Sequence, residues 1–220
     1  MFKEIDVLGG AEVEELRRIA ASAPFVDGRI SNPHNIAKQN LQLHDPAAYK
    51  RSADIVLRAL MANEEFRNFT FPASIAPPLV TRYEPGMRYG AHADAAYLQL
   101  QNGVLRSDIS CTIFLNDPDQ YEGGALRITL GTREMHFRLP PGTAIVYPSD
   151  TLHEVEPVTS GERLVAITFI QSRIKDTFQR QLLYELNEVA ALEGLNMSHE
   201  NFSRLQLIQQ KLYRHWGEKP

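Results

Sequence analysis

The sequence predicts a mainly β core of sandwich or barrel type, with the jelly roll as its leading form, flanked on both sides by α-helices. Three observations carry this. From residue 69 to 172 the chain breaks into short β-rich runs separated by Gly, Pro, Asn and Asp. Before and after that region the apolar residues recur at helical spacing instead. A hydrophobic fraction of 43% over 220 residues supplies the core of one sizeable domain.

On the N-terminal side, residues 11–22 place Val13, Leu16, Ile19 and Ala20 on one face with charges opposite, the pattern of an amphipathic helix. Asp27-Gly28 then gives a turn signal. Asp45-Pro46 reads as an N-cap with proline in the first helical position, opening a second helix to about Met61 with Ile55, Val56, Ala59 and Leu60 inward. Both helices are expected to brace a sheet from outside. In the β region, residues 79–83 form one strong run. Ile109, Cys111, Ile113 and Leu115 alternate in the next, and Leu126, Ile128 and Leu130 follow. Gly131-Thr132 joins that strand to residues 134–139 as a hairpin. Residues 143–147 and 163–170 are the remaining strands. Beyond Ser172, Phe178, Leu182, Leu183, Leu186 and Val189 suit one helix ended by Glu193-Gly194, and Phe202, Leu205, Ile208 and Leu212 suit another behind a Ser198 cap. The expected organisation is therefore 1–77 for N-terminal helices and bracing strands, 78–173 for the β core, and 174–220 for a helical extension suited to bracing or to a homo-oligomer.

Composition excludes several roles. A net charge of -4 offers no general attraction to nucleic acid or to an anionic membrane. No apolar stretch is long enough to span a bilayer, and acidic residues Glu4 and Asp6 stand where a secretion signal would be apolar. Cys111 is the only cysteine, so no internal disulfide can form, which agrees with a cytoplasmic location. Its place in an alternating run predicts a buried strand residue. Arg82, Arg88, Arg106, Arg127, Arg133 and Arg138 crowd the central region. A solvated sheet face is the simpler reading, with a mouth attracting an anionic substrate as the other.

The chemistry begins at His92 and Asp94. Two apart in an extended segment, they point the same way and can offer one imidazole nitrogen and one carboxylate oxygen to a single metal. With 7 His and 10 Asp in 220 residues, a His-x-Asp arises by chance roughly one time in three, so the pair alone says little. His153 opens a new extended segment after the strand 143–147, far enough along the chain for several intervening strands, and is the best third ligand. Two imidazoles and one carboxylate on one octahedral face leave the opposite face open, the arrangement of non-haem Fe(II) oxygenases. Arg163 leads into a strongly apolar strand, where its planar fork suits a bidentate carboxylate. A salt bridge to Glu154 or Glu156 is the plainer alternative.

The ordered series Arg82-Tyr83, Gly86, Tyr89, His92-x-Asp94, then Glu122-Gly123-Gly124, His153-Glu154-Val155 and Arg163 resembles the Fe(II)- and 2-oxoglutarate-dependent dioxygenases of the prolyl 4-hydroxylase type. More closely it resembles the bacterial PKHD-type hydroxylases, also called iron-uptake-factor hydroxylases. The resemblance implies a double-stranded β-helix, or jelly roll, over 78–173. It also implies Fe(II) on His92, Asp94 and His153, the distal carboxylate of 2-oxoglutarate on Arg163, and the Tyr83 hydroxyl beside that cosubstrate. O2 would be the oxidant and L-ascorbate the reductant. The reaction implied is hydroxylation of an unactivated C–H bond of a peptide or small molecule with release of succinate and CO2, and a link to bacterial iron uptake. In that assembly the charges of Fe(II) and Arg163 cancel those of Asp94 and 2-oxoglutarate, so a neutral whole enters the protein interior.

Other readings stand beside this one. Two His and one carboxylate also make a catalytic zinc site, but that chemistry gives Arg163 no task. A non-catalytic iron or 2-oxoglutarate sensor acting through the C-terminal helices, and an oxidase that dispenses with 2-oxoglutarate, are the remaining alternatives. His34, His44, His136, His199 and His215 lack a partner pattern and read as surface or locally bonded. Asp150 is either a turn residue or an acceptor for a ligand imidazole, with the turn preferred. Glu122-Gly123-Gly124 is read as a turn whose glycines serve backbone geometry.

Overall fold

A computed structural model describes residues 1–32 and 35–218. The strands, in chain order, are β1 (Lys3–Asp6), β2 (Phe25–Asp27), β3 (Lys38–Gln39), β4 (Leu41–Leu43), β5 (Pro72–Ile75) and β6 (Leu79–Tyr83). Next come β7 (Arg88–His92), β8 (Tyr97–Leu100), β9 (Gly103–Arg106), β10 (Ile109–Phe114), β11 (Tyr121–Gly123) and β12 (Leu126–Leu130). The last are β13 (Arg133–Phe137), β14 (Thr143–Pro148), β15 (Leu152–Val155), β16 (Val158–Gly161) and β17 (Arg163–Ser172). Helices α1 (Gly10–Ser22), α2 (Pro46–Ala62) and α3 (Glu64–Thr70) precede the core, and α4 (Thr177–Glu193) and α5 (His199–Trp216) follow it.

Two antiparallel sheets make the jelly roll. The larger runs β1-β14-β10-β17-β6-β4-β2, with β5 also on β17; the smaller runs β13-β12-β15-β7-β3. Strand alternation divides the buried side chains between two cores. On β14, Ala144 and Val146 face the helices while Ile145 and Tyr147 face the smaller sheet. On β17, Leu164 and Ala166 face the helices and Val165 faces inward. β14 is buried on both faces throughout, and β17 over residues 163–166, and so they read as unbroken apolar runs. The outer core joins Val13, Leu16, Val56, Leu60 and Phe66 of the helices to the back of the larger sheet; the inner core holds Phe114, Leu126, Ile128 and Val165 between the sheets.

The helix signals are realised in detail. The Asp45 carboxylate accepts from the Ala48 N–H at 2.7 Å with Pro46 opening the helix, and Ser198 Oγ accepts from the Asn201 N–H. The bracing strands expected within 1–77, which the sequence does not place, are β1 to β5, each only two to four residues long and so too short to show a period, and the two-turn helix α3 is additional. One helix face is corrected. Helix α4 buries Arg180, Leu183 and Tyr184, while Phe178, Leu182 and Val189 are exposed. The Arg180 guanidinium turns inward to donate to the Ile174 carbonyl at 2.9 Å, and this fixes the face that docks. No described helix is long and apolar enough to cross a membrane.

Candidate active site

The inner face of the jelly roll gathers the predicted residues. Strands β7 and β15 pair antiparallel with His92 directly opposite His153, and Asp94 follows two residues past the end of β7. Asp94 Oδ1 lies 3.9 Å from His92 Nε2, and its Oδ2 lies 3.6 Å from His153 Nε2. One ligand atom from each residue falls within 4.8 Å of the others. The remaining ring nitrogens point away: His92 Nδ1 donates to the Gly90 carbonyl at 2.8 Å, and His153 Nδ1 donates to the Thr151 carbonyl at 2.9 Å. Those bonds set the tautomer, leaving both Nε2 lone pairs aimed at Asp94. Burial first, and the neighbouring His153 second, push the His92 pKa down to about 4, so its Nε2 is a free base at neutral pH. The donor set fits a divalent metal that takes imidazole and carboxylate and keeps open positions.

Asp94 is itself held. Ser110 Oγ on β10 donates to Asp94 Oδ2 at 2.6 Å, and a buried hydroxyl chain continues from Ser110 through Ser149 to Ser107 in steps of 2.8 Å. Aromatic rings fix the imidazoles: Tyr89 stacks on His92 with centroids 3.6 Å apart, and Tyr147 meets His153 edge-on at 5.2 Å.

Arg163 opens β17 directly opposite Tyr83 on β6. It has the same strand parity as the inward-facing Val165, so its guanidinium enters the space between the sheets, where only 1% of the residue is exposed. Its Cζ lies 5.0 Å from the Tyr83 ring and 5.5 Å from that of Phe114. It pairs with no carboxylate among the described residues, its Nε lacks a hydrogen-bond partner, and burial pulls its pKa down. The salt bridge to Glu154 or Glu156 does not form; Glu154 pairs with Arg127, and Glu156 with His136. A buried guanidinium without a counter-ion fits an anionic ligand with a carboxylate to offer. The Tyr83 hydroxyl accepts from Asn40 Nδ2 at 3.1 Å, and burial raises its pKa, so it stays protonated.

The other sequence candidates lie apart. Asp150 is an exposed turn residue, and the acceptor for His153 is the Thr151 carbonyl instead. His44, His136, His199 and His215 are exposed, while His34 lies outside the described residues. Of the central arginines, Arg82 pairs with Glu162, Arg106 with Asp108 and Glu218, and Arg127 with Glu134 and Glu154. At those three positions the guanidinium is already taken by a carboxylate. Gly123 and Gly124 take φ of +69° and +62°, as their backbone role requires. Asn40, Ser110 and Tyr147 are site residues that sequence reasoning missed. Ser110 had a signal, since it occupies the polar phase of a strand whose apolar phase is Ile109, Cys111 and Ile113.

Comparison with known proteins agrees with this geometry. The family described as the 2OG-Fe(II) oxygenase superfamily matches residues 78–171. A PKHD-type hydroxylase of Sphingopyxis alaskensis is 62% identical over 98% of this chain and 99% of its own length. One from Thermosynechococcus vestitus is 40% identical over 99% and 100% respectively. Among solved structures, a Pseudomonas putida prolyl-4-hydroxylase superposes with a TM-score of 0.55 at 20% identity, covering 78% of this chain and 92% of that one, a likeness of fold.

Proposed function

We infer the reaction from one premise: the chain belongs to the PKHD-type hydroxylases of the 2OG-Fe(II) oxygenase superfamily. It is an Fe(II)- and 2-oxoglutarate-dependent dioxygenase. Beyond that, the reading is that it hydroxylates an unactivated C–H bond of a peptide or small molecule, in the cytoplasm, with L-ascorbate keeping the iron ferrous. His92, Asp94 and His153 would hold the metal through two Nε2 atoms and one carboxylate oxygen. Arg163 would take the distal carboxylate of 2-oxoglutarate in a bidentate grip, and Tyr83 would donate its hydroxyl to the same ligand. When bound, iron and cosubstrate supply the oxidising chemistry: O2 is consumed, 2-oxoglutarate becomes succinate and CO2, and one oxygen atom enters the substrate C–H bond.

The observation that carries this reading is Arg163, buried on the inner face with no carboxylate of the described chain to neutralise it. Neither zinc hydrolysis nor a cosubstrate-free oxidase gives such a group a task. The name of the prolyl-4-hydroxylase neighbour makes a peptidyl proline one acceptor to test, and the family resemblance makes a component of iron acquisition another.

The test is oxygen uptake coupled to succinate release, with anaerobic controls. Wild type is expected to require both Fe(II) and 2-oxoglutarate, whereas a sensor would bind both and release no succinate. His92→Ala or Asp94→Ala is expected to abolish succinate formation and to weaken iron binding sharply; normal turnover in either variant sinks the assignment. Arg163→Lys keeps the charge and loses the fork, so it is expected mainly to raise the 2-oxoglutarate requirement.

A further inference from the structure

Lys38 is a lysine in an unusual place. It lies on β3, the edge strand of the smaller sheet, and only 7% of it is exposed, although lysine is among the residues least often buried. Its ammonium donates to Ser31 Oγ at 2.6 Å and sits 5.5 Å from the centroid of the Tyr89 ring. Lys38 and Tyr89 are register partners across β3 and β7, and Tyr89 in turn stacks on His92. A single aromatic ring therefore links this ammonium to the metal-site imidazole.

Lys38 and its hydrogen-bond partner Ser31 line one cavity together with His92 and Asp94. A cavity of about 1020 Å³ opens beside His92 and Asp94, walled by Lys38, Tyr89, Leu98 and Ile167. Arg163 and Tyr83 do not line it, so the cosubstrate anchor and Lys38 serve different spaces. Lys38 is the one lysine or arginine among its described lining residues, and Asp94 the one carboxylate.

Charge decides what the ammonium is for. Burial pulls the Lys38 pKa down, and the charges of Asp94 and Asp27 work against that shift. Asp27 is an exposed carboxylate already held by the Arg29 guanidinium at 2.6 Å. A bound metal would take the charge of Asp94. With Fe(II) and 2-oxoglutarate in place, their charges and those of Asp94 and Arg163 would sum to zero, leaving the Lys38 ammonium without a counter-ion among the described residues. A methionine would fill the same volume without that desolvation cost.

We propose that Lys38 recognises a carboxylate on the substrate, so that the acceptor of this oxygenase is an acid, free or at a peptide C-terminus, bound in the cavity beside His92 and Asp94. The carboxylate would complete the charge balance and pivot the molecule so that a C–H bond faces the metal position. This rests on the oxygenase reading for the identity of the bound molecule as substrate; the anion site itself does not.

The experiment uses the full chain loaded with Zn(II) and 2-oxoglutarate, so that Arg163 is occupied and no turnover occurs. Lysine side-chain ¹⁵N resonances are followed while acetate, and in parallel acetamide, is added. The Lys38 resonance, assigned as the one missing from Lys38→Met, is expected to shift saturably with acetate and not with acetamide. A Lys38 resonance indifferent to acetate, or equally responsive to acetamide, overturns the proposal. Binding of hippurate and hippuramide gives the second arm. Wild type should prefer the acid at least tenfold, Lys38→Met should lose the preference, and Lys38→Arg should keep it; a preference that survives in Lys38→Met also overturns the proposal. Extending hippurate by one glycine separates a peptide C-terminus from a small acid. The two failures are distinguishable, because iron and 2-oxoglutarate loading is read separately by the visible absorbance of the anaerobic Fe(II) complex. Loss of that absorbance in wild type indicts the oxygenase reading and leaves the acetate result standing.

Discussion

Ser110 orients the Asp94 carboxylate. Its hydroxyl occupies Oδ2 at 2.6 Å, so a metal held here would be met more freely by Oδ1 and through a single oxygen. Ser110→Ala removes that bond and lets the carboxylate rotate, so iron affinity should fall about 10- to 100-fold, as for other groups that orient a ligand. Chelator competition measures it; an unchanged affinity would mean that Asp94 is oriented without Ser110. Arg163 supports an opposite kind of prediction. Arg163→Met deletes a buried, unpaired charge and fills its volume, so the protein without cofactors should become more stable by about 1–4 kcal/mol while losing 2-oxoglutarate binding. Urea denaturation with and without 2-oxoglutarate checks both halves. At this scale the sequence was informative where chemistry is concentrated in a residue type: His92, Asp94 and His153 have ligand atoms within 4.8 Å of one another, and Arg163 is buried between the sheets. Asn40, Ser110 and Tyr147 are common residue types, and their roles depend on which face of which strand looks inward. That could not be read before the topology was known.

Elements translate that inward face into rigidity. Cys111 sits at the middle of β10, paired on both sides by β14 and β17, and burial pushes its thiol pKa up to about 12. It should resist thiol reagents in the native protein at pH 8 and react only as the protein unfolds. The unfolded thiol loses its proton near the ordinary value of about 8.5, where the folded one keeps it. Stability should therefore decline as pH rises from about 8.5 toward 12, and less so in Cys111→Ala, measured by urea midpoints across that range. The turn before β12 is a second case. A Cβ on Gly124 would lie 2.8 Å from Val158 Cγ2 and 3.1 Å from Arg163 Cδ, at a positive φ. Gly124→Ala should cost roughly 1–2 kcal/mol from the left-handed backbone and displace Arg163, raising the 2-oxoglutarate requirement as well as lowering Tm. A fall in Tm alone would show that Arg163 adapts. Strand alternation made β6, β10, β12, β14 and β17 legible, because each runs long enough to show its period or its apolar character. The docking face of α4 was not legible: apolar residues surround much of that helix, and the choice among them fell to Arg180, whose guanidinium found a buried carbonyl.

At the scale of the molecule, both flanks are structurally joined to the core that the family match covers. From the N-terminal side, β1 pairs with β14, β4 with β6, and β3 with β7, so residues outside 78–171 complete both sheets, bring Asn40 to the Tyr83 hydroxyl and bring Lys38 to the cavity beside His92 and Asp94. From the C-terminal side, Leu183 and Tyr184 enter the outer core, Tyr213 and Trp216 pack against its margin, and Lys3 Nζ donates to the Tyr184 hydroxyl at 2.6 Å. The end of α5 is tied down as well: the Glu218 N–H donates to the Arg173 carbonyl at 2.8 Å, and its carboxylate takes Arg106 of β9 at 2.8 Å. Trp216 is the only tryptophan, so its fluorescence reports the docking of α5 while far-ultraviolet circular dichroism reports the whole fold. If the flanks and core form one cooperative unit, both signals should follow a single transition with the same urea midpoint. A tryptophan transition at clearly lower urea would make residues 174–218 a separable unit. The same physics predicts that a fragment of residues 78–173 shows no cooperative transition and takes up no 2-oxoglutarate. It leaves β6 and β7 without their partners β4 and β3, strips the helices from the back of the larger sheet, and deletes Asn40 from the Tyr83 hydroxyl.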